Sequence, residues 1–324
     1  MNLSADQVDA GRDLNLAVIG TGRWGQTLMR AISARKGLAL TAVVSSKPVS
    51  VGHTAVPVFP DWCAAVDSLP IDGFVLALPP DIQPAFAEQI IAAGIPVFLE
   101  KPLALDRTAA GRLLAAARKS GFTGVVDHVH LFAPEFVELC RRLPANGGRA
   151  EIETVSGNDG PYRNRWTSCW DWAPHDIAMC LAVMKTVPNS VTARVVRSVE
   201  RNSQTFENYE IGLDFGQCGL ARITTGNAFD AHCREFRVQA GGISLTYAEA
   251  ADRHRSLTVT RSGQAETIGV TSVPPLDAAL GAFADRIHDS GGIEDLKRGA
   301  LVVNICAAAH ESVNRSAPVP VSES

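Results

Sequence analysis

The chain has 324 residues, 46% apolar and 20% charged, with 34 acidic side chains against 30 basic ones and a formal charge of −4. That length predicts two domains, and the near balance of charge argues against a surface built for a polyanion such as DNA or RNA. The longest stretch free of Asp, Glu, Lys and Arg is the 13 residues 48–60, short of the roughly 20 that a spanning helix needs, so no membrane segment is expected.

The first 13 residues carry Asp6, Asp9, Arg12 and Asp13 without an apolar run, which predicts a flexible tail and not a secretory leader. Seven cysteines (Cys63, Cys140, Cys169, Cys180, Cys218, Cys233 and Cys306) are odd in number and form no CxxC pair. A disulfide framework or structural zinc is therefore not expected; the thiols read as small hydrophobes in a reducing cytoplasm.

From Leu14 to Thr123 short apolar runs alternate with amphipathic stretches, the rhythm of a parallel sheet covered by helices. Strands are predicted at 14–19, 39–44, 73–78 and 96–99, each a brief, largely apolar run as expected for strands buried on both faces. Trp24, Leu28 and Ile32 recur every four residues in the first helix, and Phe86 and Ile90 do so before Gly94, a C-terminal cap. Asp106 can cap a helix running through Leu113, Leu114 and Ala117 to Gly121.

Past about residue 150 the period becomes alternating: Tyr209, Ile211, Leu213 and Phe215 interleave with Glu210, Gly212 and Asp214. Phe236 and Val238 lead into Gly241-Gly242 and then Ile243, Leu245 and Tyr247, a hairpin pattern, with a further strand and turn at 257–264. Helices follow at 276–288 and 293–313, and the serine- and proline-containing tail from Ser316 reads as disordered. The fold class expected is α/β: a doubly wound parallel sheet over 1–123, then an α+β domain over 124–324 with an open, mostly antiparallel sheet, whose helix 293–313 is a candidate to pack back on the first domain.

Immediately after the first strand stands Gly20-Thr21-Gly22-Arg23-Trp24-Gly25, followed at once by an amphipathic helix. In that context the first glycine makes a tight turn, the second lets backbone approach a pyrophosphate, and the third permits close helix packing. Free N–H groups at the helix start then favour the anion. A binder of NAD usually places an acid about 20 residues on, at the end of the second strand, for the ribose 2′-hydroxyl. Here no acid occurs between Gly25 and Asp61, and Ser45-Ser46-Lys47 occupies that place. Hydroxyls and a cation suit a 2′-phosphate, which predicts NADP(H), with Arg23 as a further contact and NAD as the alternative.

The run from Asp72 through Gly73-Phe74-Val75-Leu76-Ala77-Leu78 to Pro79-Pro80, and the run from Ala93-Gly94 to Glu100-Lys101-Pro102-Leu103, resemble the Gfo/Idh/MocA family of oxidoreductases. The resemblance continues to Trp170-Asp171-Trp172-Ala173-Pro174-His175-Asp176 and so covers most of the chain. It implies an N-terminal Rossmann domain, a C-terminal α/β domain with an open sheet, NAD(P)-dependent alcohol–ketone chemistry on sugars or polyols, and homo-oligomers, dimers or tetramers, built through that sheet. It further implies that Lys101 is catalytic and that Asp171 and His175 match the family's paired Asp and His. The cofactor contacts read for this chain are Gly20, Thr21, Gly22, Arg23, Trp24, Gly25, Ser45, Ser46, Lys47, Leu78, Pro79, Glu100, Lys101 and His128.

The residues support those roles independently. Lys101 follows a buried strand at its carboxyl end, where ligands of open parallel sheets collect, and an ammonium there can hold a substrate oxygen and stabilise an alkoxide. His175 can exchange the hydroxyl proton near neutral pH. Asp171, four residues earlier, can orient that imidazole, bind a substrate hydroxyl or serve as a helix cap. Arg163, Arg165 and Trp172 are candidates for the substrate, the arginines for an anionic group and the indole for a sugar face or for packing.

Two departures from the family are visible. Thr167-Ser168-Cys169-Trp170 replaces a glycine run, and Asp127-His128-Val129-His130-Leu131-Phe132 replaces the usual Arg-Phe stretch, so the pocket expected is not that of a typical inositol dehydrogenase. The form of Trp170-Asp171-Trp172-Ala173-Pro174-His175-Asp176 resembles a branch acting on nucleotide-linked or modified sugars. A metal cluster of His128, His130 and His175 lacks ligand spacing, so no metal is expected. The alternatives to alcohol–ketone chemistry are reduction of a C=N or C=C bond and a cofactor-sensing regulator that does not turn over.

Overall fold

The computed structural model describes residues 12–46, 56–144, 148–271 and 273–322. The expected flexible tail falls, apart from Arg12 and Asp13, outside the described residues, as does Lys47. The chain divides into two compact units. The first runs to Ala104 and takes in Thr108–Asp127 and Leu276–Lys297; the second comprises Leu105–Arg107, His128–Pro275 and the chain from Arg298 on.

In chain order the first part contains β1 (Leu14–Ile19), α1 (Arg23–Ala34), β2 (Leu38–Val44), β3 (Val58–Phe59), α2 (Trp62–Ser68), β4 (Gly73–Leu76), α3 (Gln83–Ala92), β5 (Val97–Glu100), α4 (Arg107–Ser120) and β6 (Gly124–Asp127). The six strands form one parallel sheet in the order β3-β2-β1-β4-β5-β6. All four residues of β4, β5 and β6 are buried, which is why these strands are apolar up to the acids Glu100 and Asp127 that close β5 and β6. The strand order reverses between β1 and β4, and the carboxyl ends of those strands are where such sheets receive ligands. In α1 Leu28 and Ile32 are fully buried, each contributing about 1.5–3 kcal/mol on area grounds. Arg12 forms a two-point ion pair with Asp72, at 2.6 and 2.7 Å, so this residue of the expected tail is held in place.

The second unit begins with a short 3-10 turn at Val129–Phe132 and α5 (Pro134–Arg142), followed by β7 (Ala150–Asp159), α6 (Ser168–Met184), β8 (Ser190–Arg201), β9 (Gln204–Asp214), β10 (Gly219–Gly226), β11 (Ala228–Ala240), β12 (Ile243–Glu249), β13 (Arg255–Arg261) and β14 (Gln264–Ile268). After them come α7 (Pro275–Asp289), α8 (Ile293–Arg315) and β15 (Val319–Pro320). The sheet of this unit has nine strands in the order β14-β13-β12-β11-β7-β10-β9-β8-β15, mixed only where β7 runs parallel to β10. The predicted hairpin forms with Ala240 opposite Ile243 across Gly241-Gly242.

One face of this sheet is dry. In β7 Ile152, Thr154 and Ser156 are buried and alternate with exposed Glu151, Glu153 and Val155. On the buried side Asp176 of α6 accepts hydrogen bonds from Thr154 (3.0 Å), Thr225 (3.3 Å), Arg234 Nη1 (2.9 Å) and the Ser156 hydroxyl. Asp176 is fully buried and Arg234 nearly so, so this pair fixes α6 against three strands; the desolvation of such a pair is offset only because its lone pairs are satisfied.

α7 belongs to the first unit. Its Phe283 ring meets Phe98 of β5 edge-on at 5.8 Å, and Arg35 of α1 donates to the Asp277 carbonyl at 2.7 Å. The tail beyond Ser316 corrects the expectation of disorder. Val319 is buried and pairs with Val191 of β8, and Asn304 Nδ2 donates to the Ser322 carbonyl at 3.0 Å. Composition alone missed this because a two-residue edge strand needs only one buried side chain and a free strand edge to pair with.

Candidate active site

The predicted cofactor cradle lies in the first unit, at the turn from β1 into α1. Gly20 has φ +104°, and a Cβ there would stand 2.4 Å from the Ala77 carbonyl oxygen at the end of β4. A Cβ on Gly25 would stand 2.2 Å from the Gly20 oxygen, so both positions require glycine for backbone contact. Gly22 differs. It is the N-cap of α1, with φ −64° and ψ 179°, no side-chain cap and no acid in the first turn, and a Cβ there would meet nothing within 4 Å. The start of α1 is therefore open and uncapped by a side chain, and free N–H groups at such a helix start suit the pyrophosphate of a dinucleotide.

The rest of the predicted cofactor set frames this turn. Thr21 is half-buried and Arg23 exposed, Leu78 lies against Gly20 at the exit of β4, and Pro79 follows it on the surface. At the end of β2 Ser45 is half-buried and its N–H donates to Phe59 O at 3.0 Å, while Ser46 is exposed.

β5 ends at Glu100 and Lys101. Gln83 of α3 holds that backbone from both sides, its Nε2 donating to Glu100 O at 2.7 Å and its Oε1 accepting from Glu100 N at 3.0 Å. The indole N–H of Trp24, in the glycine turn, donates to the Glu100 carboxylate, so the turn and the strand end carrying the half-buried Lys101 are physically joined. Burial pushes the Glu100 carboxyl up to about 7, against the Trp24 hydrogen bond and the Lys101 charge, which act the other way. Asp127 ends β6 as the register partner of Glu100. Burial first, and the neighbouring Glu100 charge second, hold it well above the ordinary carboxylate range.

The other residues singled out in the sequence lie in the second unit. His175 is buried on α6, and the ring of His130 packs against it edge-on at 5.0 Å. His130 Nδ1 is 3.1 Å from the hydroxyl of Tyr247, itself fully buried on β12. Asp171 sits in the first turn of α6, whose N-cap is Thr167. The helix starts earlier than a cap at Asp171 would require, and Pro174 lies past the first turn. Asp171 accepts from Arg163 Nε at 2.8 Å and Trp166 Nε1 at 3.1 Å, and the Arg163 guanidinium stands 5.9 Å from the Trp166 ring centre. Arg165 is exposed, Trp172 half-buried, and His128 buried directly after β6.

Three partnerships were not anticipated from the sequence: Trp24 with Glu100, Asp127 with Glu100, and Tyr247 with His130. The signal for the second was present, since an acid closes the otherwise apolar strand of Gly124-Val125-Val126-Asp127. The other two join residues distant along the chain, which no local pattern reports.

Residues 14–128 match the profile of a family described as an oxidoreductase family with an NAD-binding Rossmann fold. An inositol 2-dehydrogenase of Pseudomonas fluorescens is 33% identical over 249 residues, 65% of this chain and 74% of that protein. The chain belongs to the Gfo/Idh/MocA oxidoreductase family. Another relative, inositol 2-dehydrogenase 2 of Saccharopolyspora erythraea, is 30% identical over 156 residues, 45% of this chain, so that the match spans about half of the relative's length at 46%. The crystal structure of a Magnetospirillum magnetotacticum protein superposes with a TM-score of 0.82 at 29% identity, covering 91% of this chain and 99% of the other. Membership of the Gfo/Idh/MocA family agrees with the β3-β2-β1-β4-β5-β6 strand order and the glycine turn observed here.

Proposed function

We propose that the protein is an NADP(H)-dependent dehydrogenase or reductase acting between a hydroxyl and a ketone carbon of a sugar, cyclitol or nucleotide-linked sugar. The open cradle at Gly22 carries this reading, because among the described residues its N-cap has no side-chain bond, no acid stands in the first turn, and Gly22, unlike Gly20 and Gly25, meets no steric demand for glycine. The two inositol dehydrogenase relatives support the substrate class. Preference for NADP(H) rests on the end of β2, where Ser45 and Ser46 stand and no carboxylate follows before Asp61.

A bound nicotinamide supplies the hydride acceptor or donor. Lys101 anchors the substrate oxygen and stabilises negative charge on it, held in position by the Gln83 clamp on the preceding residue. His175 takes the hydroxyl proton and returns it in the reverse direction, with His130 bracing its ring. Asp171 fixes Arg163 and Trp166, which together with Arg165 and Trp172 offer charge and aromatic surface to a sugar or its anionic substituent.

The outward face of the nine-stranded sheet exposes Val155, Val196 and Leu220 among charged side chains, which suits a homodimer or homotetramer built through that face. All seven cysteines are free thiols, in keeping with a reducing cytoplasm. Among the described residues no helix is long and apolar enough to cross a membrane. The deciding experiment is fluorescence titration with NADPH and NADH, followed by a screen of sugars, polyols and nucleotide sugars by nicotinamide absorbance. Equal affinity for the two cofactors removes the argument from β2, and absence of binding removes the whole reading.

A further inference from the structure

Two acids close neighbouring strands of the parallel sheet, and the reaction proposed above uses neither as an acid. Glu100 and Asp127 are register partners in β5 and β6, so their side chains leave the sheet on the same face. Glu100 is 8% exposed and Asp127 1%. Burial first, and across that register the Glu100 charge second, raise Asp127. Two ionised carboxylates repel and are acceptors only, so a hydrogen bond between neighbours of this kind requires a proton on one.

The surroundings favour that state. Burial pushes both groups toward the neutral form, and the Lys101 ammonium opposes this on each. From α1 the Trp24 indole donates to Glu100, and from α3 the uncharged amide of Gln83 holds the Glu100 backbone. Asp127 Oδ1 is buried and meets no hydrogen-bond partner among the described residues, an arrangement costly for a carboxylate and tolerable for a carboxylic acid. With one proton in the pair and a charged lysine, the cluster is neutral overall; without the proton it holds an uncompensated buried charge.

We propose that Glu100 and Asp127 form a buried acid pair that holds one proton between them at neutral pH, and that this proton is released to solvent when an oxidised nicotinamide dinucleotide binds to the glycine turn. The release rests on the dinucleotide reading above. The Trp24 hydrogen bond joins the turn to Glu100 directly, and the pair stands at the carboxyl edge of the sheet, where such ligands bind. The oxidised dinucleotide carries one positive charge more than the reduced one, and a nearby positive charge favours the doubly ionised pair. Glu100 and Asp127 are thus positioning residues for Lys101 and a sensor of the charge on the cofactor.

Infrared spectroscopy of the free protein tests the first part without any ligand. At pH 7 the wild type should show the carbonyl stretch of a buried protonated carboxyl, and Asp127→Asn and Glu100→Gln, both isosteric, should each lose it. A missing band in the wild type, or a band that survives in both variants, overturns the pair.

Calorimetry in buffers of different ionisation enthalpy tests the second part. Near pH 7 the wild type should release more protons on binding the oxidised than the reduced dinucleotide, and its preference for the oxidised form should rise about tenfold between pH 6 and pH 8, the effect of a shift of about one pKa unit. Asp127→Asn should show neither effect. Tight binding with equal proton counts for both forms overturns the exchange while leaving the cofactor reading intact. No binding of either form refutes that reading and the exchange together, and the pair is then judged on the infrared band alone.

Discussion

Replacing Gly22 by alanine separates the demands of the fold from those of the ligand. The residue has φ −64° and ψ 179°, a conformation open to any residue, and its Cβ would meet no atom within 4 Å. The folded chain should therefore lose only the difference between glycine and alanine at an N-cap, about 0.5–1 kcal/mol. The methyl group nevertheless occupies the space in front of the first-turn N–H groups, where a phosphate oxygen must come to about 2.9 Å to be bonded. Loss of one charge-assisted hydrogen bond costs about 1.5–3 kcal/mol, or roughly ten- to a hundred-fold in affinity.

Gly25→Ala is the control in the opposite sense. Its Cβ would fall 2.2 Å from the Gly20 oxygen and 3.0 Å from its carbonyl carbon, so backbone must move, and the variant should be destabilised by about 1–3 kcal/mol. Thermal melting gives the first quantity and NADPH fluorescence titration the second. A Gly22→Ala protein that binds dinucleotide like the wild type, or that melts below Gly25→Ala, would refute the assignment of the cradle.

Further outcomes are expected. Lys101→Ala should retain dinucleotide binding and lose about 10²-fold or more in turnover, as removal of an electrostatic stabiliser does; unchanged turnover would place the chemistry elsewhere or favour a non-catalytic sensor. His175→Asn should remove the neutral-pH limb of the rate profile, and persistence of that limb would reassign the base. Asp176→Asn should destabilise the second unit by about 3–5 kcal/mol, because the Arg234 charge is left buried without its partner; a denaturant midpoint close to the wild type would show that pair to be dispensable. Since Glu100 is raised from 4.5 to about 7, the stability it contributes is complete below about pH 4.5 and lost as pH rises through about 7. Glu100→Gln should flatten the fall in unfolding free energy across that interval, and an unaltered slope would count against a raised Glu100.

Local patterns carried much of the architecture. Both-face burial of β1, β4 and β5 makes their sequences predominantly apolar runs, and one-face burial makes β9 alternate, so strand type could be read directly from Leu14–Ile19 and from Tyr209 to Phe215. The glycine turn was equally legible, because Gly20 and Gly25 answer local steric demands in a strand–turn–helix context. By contrast β15 and the Arg12–Asp72 pair escaped, since each depends on a partner supplied by another part of the chain.

The sequence by itself determined which residue types could do the chemistry: a turn for an anion, a lysine closing a buried strand, and an Asp and His four apart. Only the tertiary structure decided their company. It joined Trp24 to Glu100, set Asp127 beside Glu100, and placed His130 between Tyr247 and His175. The physical reason is range. Helix and strand periodicity follow from contacts a few residues apart, whereas the charge state of a buried acid and the pose of an imidazole depend on neighbours that strand order and helix packing bring from far along the chain.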